Sequence, residues 1–490
     1  MPPIDIRVPI RAIWEEFWHA GIHDTAAIME QMLYLMFLRR LDDLQARAAA
    51  LHDARAGPRW SPSRAIDQQM RWSSFKDLAE PEMYALFADH VFPRLRCLGG
   101  PGSAYAQLMK GARLAIPTAA ALARVVRMIE ALPRPGEAER TCQAYDDLAA
   151  RLARLGHRGR YHTPRHIVRL MVDFLAPGPA DIVCSPAGGA CDFLVAASEY
   201  LLQRHPGLMD DVDDRTHFHH RMFHAHDADP ALLRIGCMSM ALHGVVNPDI
   251  RYTSNAAPDP EREGRYTVVL AHASMFPLPV AATPSGIAQG EIRMVAQCLN
   301  LLKRGGRAAV VVPRHILTGT SAPHLALRRS LVEEQRLDGV IGVACGMSPA
   351  GPAASKAILL FTRTDCGGPE YVRFHGAPRA GWGHSARKPA GQGARLPAPC
   401  GATGPVTAAG EHHVLNVIRD WQAGGAVGAS EAETTAGILV HRRHLGDAGN
   451  FLAIARQSGG CLPSSGIRAA PHPAVPCDTT EAPGCARCSS

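Results

Sequence analysis

The stretch 185-SPAGGACDFL-194, with 159-GRYHTPR-165 shortly before it, decides how the chain folds. Glycine carries no Cβ, so Gly188 and Gly189 allow a tight turn and a close approach of backbone to a ligand. An apolar run, 181-DIVC-184, leads into the glycines and a helical pattern leads out of them. The unpaired N–H groups of that helix start would face the same place. These residues read as a cofactor pocket, with 159–165 as its lid.

Working outward, a helical pattern at 165-RHIVRLMVDFL-175 precedes this strand. Further apolar runs follow at 222-MFHAHD-227, 267-TVVLA-271, 307-RAAVVVP-313, 338-DGVIGVA-344 and 356-KAILLFT-362, alternating with helical patterns. Such alternation predicts an α/β fold, a doubly wound, mostly parallel, Rossmann-like sheet with helices on both faces. Ligands in such sheets bind beyond the carboxyl ends of the strands, where the glycine stretch lies. Upstream, helical spacing covers 24–50, 75–92, 118–132 and 141–155, so residues 1–155 are expected to form an all-α bundle. In the first of these, Leu33, Met36, Phe37, Leu41 and Leu44 share one face, and Arg39, Arg40, Asp42 and Asp43 fill the other. The α/β domain is assigned to 156–376. A Gly-, Ala- and Pro-rich connection and a small C-terminal appendage follow at 377–456, with a helical pattern at 412–422 and a strand pattern at 437–443. The tail 457–490 is expected to stay disordered.

A chain of 490 residues exceeds what one core usually holds, in keeping with two domains plus appendages. Its formal net charge of +7 is a mild basic bias, compatible with nucleic acid as a partner but not sufficient to assign one. The N-terminal segment has no apolar run bounded by a cleavage site, and no uncharged stretch is long enough to span a bilayer, so a cytoplasmic location is expected. Thirteen cysteines, an odd number, argue against a disulfide framework.

Asp227 ends the second apolar run, where an acid accepts hydrogen bonds from ribose hydroxyls in nucleotide-type folds. Equally, Asp227 or Asp229 could cap the helix that follows. The run His217, His219, His220, His224 and His226 mixes loop and strand, whose alternate residues face opposite ways, and the lone Cys485-x-x-Cys488 pair lies in the tail. Neither reads as a metal site, and none is assigned.

The order of 33-LYLMFLRRLDDL-44, 160-RYHTPR-165, 186-PAGGACDFL-194, 247-NPDIRY-252, 303-KRGGRAAVVVP-313 and 438-ILVHRRHL-445 resembles the modification subunit of type I restriction-modification systems. That family is an adenine-N6 DNA methyltransferase using S-adenosylmethionine. The resemblance implies a methyltransferase sheet over 156–376, with Arg160, Tyr161, His162, Thr163, Pro164 and Arg165 at the methionine end of the cofactor. Thr163 would bond its carboxylate, Ala187, Gly188 and Gly189 would run beside it, and Asp227 would hold the ribose. The plainer alternative for Thr163-Pro164 is a helix cap and a first helical residue. The resemblance also implies double-stranded DNA, a specificity subunit and a restriction subunit as partners.

Three departures bear on activity. Cys191 and Asp192 replace two glycines of the family loop, which would narrow the backbone approach and place a negative charge near the cofactor carboxylate. Ser185 replaces an acid or Asn. The family's Asn-Pro-Pro-aromatic motif falls on His272, Ala273, Ser274 and Met275, with Phe276 one position late for stacking. That motif presents two acceptors to an adenine amino group and stacks the flipped base. Here His272 could accept through one ring nitrogen and Ala273 through its carbonyl, without prolines to stiffen the turn. Alternatively, His272 is a polar loop residue, and the chain is a non-catalytic scaffold that binds DNA or partners. A metal- or redox-binding protein built on the histidines and tail cysteines ranks well behind.

Overall fold

The computed structural model describes residues 7–50, 67–99, 103–132, 163–253, 260–275, 284–344, 355–368, 371–375 and 438–441. The helical region is built around α2 (Thr25–Ala50); α3 (Ala119–Glu130) packs on α2, and α1 (Arg7–His19) packs on α3. The Thr118 hydroxyl caps α3 by accepting from the Ala121 N–H at 3.2 Å. Between α2 and α3 the pattern at 75–92 breaks into short pieces, because Pro81 starts a helix at Glu80 and a wider turn intervenes at Phe87–Val91. The expected helix at 141–155 lies outside the described residues.

The α2 helix is not half solvated as its pattern suggests. Every residue from Ile28 to Arg39 is buried. A helix enclosed on all sides must find partners for its polar groups. The Gln31 side chain donates to the Arg113 carbonyl and accepts from the Ala115 N–H, both at 3.0 Å. The Arg39 guanidinium donates to the carbonyls of Ile129, Glu130 and Leu132, satisfying the C-terminal end of α3.

The remaining strands form one nine-stranded sheet in the order β3-β2-β1-β4-β5-β7-β6-β8-β9. In chain order, α4 (Arg165–Leu175) precedes β1 (Val183–Pro186), followed by α5 (Asp192–Arg204), α6 (Val212–His220), β2 (Phe223–Asp227), α7 (Pro230–Leu242) and β3 (Asp249–Tyr252). Then come β4 (Tyr266–His272), α8 (Pro284–Leu301), β5 (Leu302–Pro313), α9 (His315–Thr318) and α10 (Ala322–Arg329). Last are β6 (Arg336–Ala344), β7 (Ser355–Thr362), β8 (Tyr371–His375) and β9 (Ile438–His441). The first five strands pair in parallel. By contrast, β7 runs antiparallel between β5 and β6, and β9 runs antiparallel to β8.

The first strand begins two residues later than its apolar run suggests. Asp181 accepts from the Gly178 N–H at 2.7 Å and from Arg307 at 2.9 Å, and the Ile182 N–H goes to the Thr267 hydroxyl, so ladder pairing starts at Val183. Alternate residues of β4 feed two cores. Val268 and Leu270 join the cluster that runs from Ile10 of α1 to Leu360 of β7, while Val269 and Ala271 pack with α8 and α10 on the opposite face. The helical layer and the sheet therefore share one apolar core. Within it, Arg234 of α7 bonds Glu30 of α2 and the Leu108 carbonyl, and the Tyr34 hydroxyl donates to Glu30 at 2.8 Å.

The histidine run divides between the end of α6 and β2, not between loop and strand. Burial, with Arg262 adding to it, drives His226 down to about 3, and burial beside His220 drives His219 to about 4. In the unfolded chain both protonate near 6.5. Their folded values are depressed, so the stability they contribute is complete above about pH 6.5 and is lost as pH falls toward 4. Unfolding free energy should drop by on the order of 1 kcal/mol per pH unit below 6. Denaturant titrations at pH 7.5, 6 and 5 check this, and His226→Gln should flatten the decline; parallel slopes for the two proteins would remove His226 from the account.

Candidate cofactor pocket at the carboxyl end of the sheet

Beyond β1 the chain makes three left-handed turns in five residues: Ala187 at φ 56°, Gly189 at 50° and Cys191 at 64°. Two of these are not glycine, a conformation that costs an L-residue about 1 kcal/mol and persists only where the surroundings hold it. What holds it is β2. The Gly188 N–H donates to the His226 carbonyl at 2.8 Å and the Gly189 N–H to Asp227 Oδ2 at 3.0 Å. A Cβ on Gly188 would lie 2.8 Å from the Ala225 Cβ and 3.0 Å from the Ser185 carbonyl oxygen, so no side chain fits there.

Asp227 is not the helix cap. Asp229 accepts from the Ala231 and Leu232 N–H groups at the start of α7, whereas Asp227 accepts from Gly189 on one oxygen and from the Asp229 N–H, at 2.9 Å, on the other. A carboxylate oxygen can accept more than one hydrogen bond, so this geometry is compatible with further hydroxyl donors.

The expectation for Cys191 needs correcting. Its side chain turns away from the loop and packs on α7 at Gly236, where an added Cβ would lie 2.6 Å from the sulfur. The thiol is fully buried, and burial pushes its pKa up, with Cys237 adding to the shift. Cys191 thus keeps the turn a glycine would make and fills the space beneath it. Asp192 begins α5, where a negative charge suits the helix dipole.

Of the lid, Thr163, Pro164 and Arg165 are described; Arg160, Tyr161 and His162 lie outside the described residues, as does Phe276. Pro164 precedes α4, whose start is not capped by the Thr163 hydroxyl. Thr163 Oγ1 instead lies 3.0 Å from His272 Nδ1. Arg165 donates to both oxygens of Glu199 on α5, at 2.8 and 2.7 Å, tying α4 to the helix that follows the glycine loop.

His272 is not a loop residue but the last residue of β4, 3% exposed. Lys356 Nζ on β7 lies 2.9 Å from its Nε2. An ammonium only donates, so Nε2 is the nitrogen without hydrogen, and Nδ1–H donates to the Thr163 oxygen. That bond does not use the Thr163 hydroxyl hydrogen. Both imidazole nitrogens are thereby engaged within the protein, and the acceptor expected of His272 already holds Lys356. Ala273 follows, fully buried, in a single turn over Ala273–Met275. Lys356 was not among the sequence candidates; nothing local marks a residue 84 positions from its partner.

The strand order 3-2-1-4-5 with an antiparallel strand set in next, the glycine loop after β1 and an acid ending β2 define the class: an S-adenosylmethionine-dependent methyltransferase fold. Residues 7–129 match the HsdM N-terminal domain and residues 139–277 match N-6 DNA Methylase. Across residues 7–277 the chain belongs to the family that joins these two domains, the type I modification subunits. It is 28% identical over 230 residues to the type I restriction enzyme EcoKI methylase subunit of Escherichia coli K12, covering 42% of this chain and 40% of that one. The EcoEI methylase subunit of E. coli is 23% identical over 371 residues, 70% of this chain and 72% of that one. Against the first of these relatives the chain spans about two fifths of their length. Among solved structures, a modification subunit of a putative type I restriction enzyme from Vibrio vulnificus superposes with a TM-score of 0.64 at 19% identity, over 90% of this chain and 97% of that one. A Streptococcus thermophilus type I methyltransferase subunit gives 0.59 at 15% identity, over 91% and 99%. Among the described residues, no helix is long and apolar enough to cross a membrane.

Proposed function

We propose that the chain binds S-adenosylmethionine and serves in the cytoplasm as the modification subunit of a type I restriction-modification complex, directing methyl transfer to adenine N6 in double-stranded DNA. The observation that carries this is the Asp227 carboxylate fixed against the glycine loop, with Gly188 pressed on Ala225 so that the loop backbone lies against the end of β2. Asp227 would hold the ribose hydroxyls and Thr163 would donate its hydroxyl hydrogen to the amino-acid carboxylate. Ala187, Gly188 and Gly189 would flank the cofactor, and Arg160, Tyr161, His162, Pro164 and Arg165 would form the lid. The bound cofactor supplies an electrophilic methyl group. The chain's own part is to place an amine before it, with the Ala273 carbonyl as one acceptor, His272 as the other only where the amine displaces Lys356, and Phe276 as the aromatic nearest in sequence. A specificity subunit would choose the DNA site, and a restriction subunit would join the same complex.

A second function, a cofactor-binding scaffold without turnover, is favoured by one feature: Thr163 and Lys356 occupy both nitrogens of His272.

Calorimetric titration with S-adenosylmethionine tests the proposal. Wild type should bind saturably, and Asp227→Ala should lose about a hundredfold or more in affinity, since two hydroxyls lose a charged acceptor. Asp227→Asn keeps one backbone contact and should lose about tenfold while folding normally. Equal affinity in wild type and Asp227→Asn, or no binding by wild type at millimolar cofactor, would overturn the assignment.

A further inference from the structure

The Ala273 carbonyl, one of the two acceptors for the amine, belongs to a planar unit shared with Ser274. The Cα, C and O of Ala273 move as one body with the N and Cα of Ser274. The direction of that carbonyl is therefore set by whatever holds these two residues. Ala273 is fully buried in the core that α8 forms with one face of the sheet. Ser274 is held differently. It is only partly buried, no proline ring restricts it, and its hydroxyl lies 2.6 Å from Glu291 Oε1 of α8.

Glu291 is a firm anchor because it is itself held. It is 5% exposed, and its Oε2 lies 2.5 Å from His315 Nε2 of α9. His315 Nδ1 lies 3.0 Å from His324 Nε2 of α10, and His324 Nδ1 lies 2.7 Å from the Ser321 hydroxyl. A carboxylate only accepts, so the Ser274 O–H and the His315 Nε2–H both donate to Glu291, on separate oxygens. A neutral imidazole and an imidazolium can each offer that hydrogen, so the anchor does not depend on the charge of His315. Arg328 of α10 fixes α9 in turn, donating to the Ile316 carbonyl at 2.9 Å and to the Gly319 carbonyl at 2.7 Å. The span is short because β4 and β5 are neighbouring parallel strands with His272 beside Val311. Glu291 thus ties the turn that follows β4 to the helix that follows β5.

We propose that Glu291 is a positioning residue which, by binding Ser274, fixes the direction of the Ala273 carbonyl. It touches no substrate. Its effect is that this acceptor is already oriented when an amine arrives, so no ordering of the turn is needed at the moment of transfer. The hydrogen bond to a carboxylate is of the stronger, charge-assisted kind, which suits a hold on a partly exposed turn. The inference deepens the proposed methyltransferase function and rests on it only for the rate effect.

The test compares Ser274→Ala, Ser274→Thr and Glu291→Ala in the full chain. Ser274→Ala removes one hydrogen bond and leaves Glu291 with His315, so it should fold as wild type does; Ser274→Thr keeps the hydroxyl. Deuterium exchange across 273–275 should be about tenfold faster in Ser274→Ala, the size of one lost charged hydrogen bond, and close to wild type in Ser274→Thr. Glu291→Ala should speed it equally, and adding it to Ser274→Ala should change nothing further at the turn. In parallel, single-turnover methyl transfer should fall about tenfold in Ser274→Ala and recover in Ser274→Thr, with cofactor affinity within twofold throughout. Exchange unchanged by Ser274→Ala, or effects of the two variants that add, would overturn the proposal. Faster exchange in a chain whose wild type transfers no methyl would uphold the tether and overturn the proposed function; transfer that Ser274→Ala leaves unchanged would uphold the function and overturn the positioning role.

Discussion

Glu30→Ala should lower the unfolding free energy by about 3–5 kcal/mol, the cost of leaving one member of a buried ion pair without its partner. Glu30 and Arg234 lie 204 positions apart, with side chains about one-tenth exposed. No water can replace the lost carboxylate cheaply at such a site. Arg234 would keep only the Leu108 carbonyl from the partners described above, and the Tyr34 hydroxyl would lose its acceptor. Replacing both charges with apolar side chains of similar length, Glu30→Leu with Arg234→Met, removes the stranded charge and should recover most of the loss. Denaturant unfolding of the single and double variants measures this directly. A loss below about 1 kcal/mol for Glu30→Ala would mean that solvent reaches the pair and that the helical layer is held by apolar packing alone. The effect should extend to the pocket, because α7 also carries Asp229, its cap, and Gly236, on which Cys191 rests. Weaker S-adenosylmethionine binding in Glu30→Ala, recovered in the double variant, would show that the layer steadies the loop.

What the sequence disclosed and what it hid divide along physical lines. The positions of β1, β2, β4, β5, β6 and β7 were legible because a buried strand needs a continuous apolar run, whereas β3 and β8 were not read as strands; the glycine loop was legible because Gly188 admits no side chain. The parallel direction of β1 to β5 was legible from the helical patterns between them; the reversal at β7 was not read, since apolar periodicity is the same in either direction. Yet a signal existed for β7: 345-CGMSPAGPAA-354 has no helical periodicity, so no crossover helix could return the chain for a parallel pairing. Arg39 was misread because charge at helical spacing suggests solvent, whereas here it serves the last carbonyls of another helix. Cys191 was misread in a similar way: its identity announced an obstruction, but its left-handed backbone directs the sulfur into the notch at Gly236. The partners of His272 lie 109 and 84 residues away, and no local pattern joins them.

Lys356→Met should raise methyl transfer to DNA by about tenfold or more over wild type, the release of one oriented acceptor. An exocyclic amine brought to the end of β4 presents two hydrogens and needs two acceptors, so that its lone pair can turn toward the incoming methyl carbon. The Ala273 carbonyl is one. The other, His272 Nε2, already accepts from the Lys356 ammonium at 2.9 Å. Placing the amine there sets donor against donor beside a positive charge, which also opposes the charge developing on the attacking nitrogen. Methionine matches the length of lysine without its charge, and Nδ1–H of His272 keeps its bond to Thr163, so the ring should stay in place with the competing ammonium removed. His272→Asn combined with Lys356→Met supplies an amide carbonyl in the same position, and should reach about a hundredfold. The comparison requires single-turnover transfer from labelled cofactor, with a type I specificity subunit present, and calorimetry showing cofactor affinity within twofold of wild type. A gain in rate at unchanged affinity would place the defect in amine presentation and the remaining machinery in working order. If both variants bind cofactor normally and transfer no faster than wild type, the missing prolines after His272 set the limit, and the chain acts as a scaffold that holds the cofactor without using it.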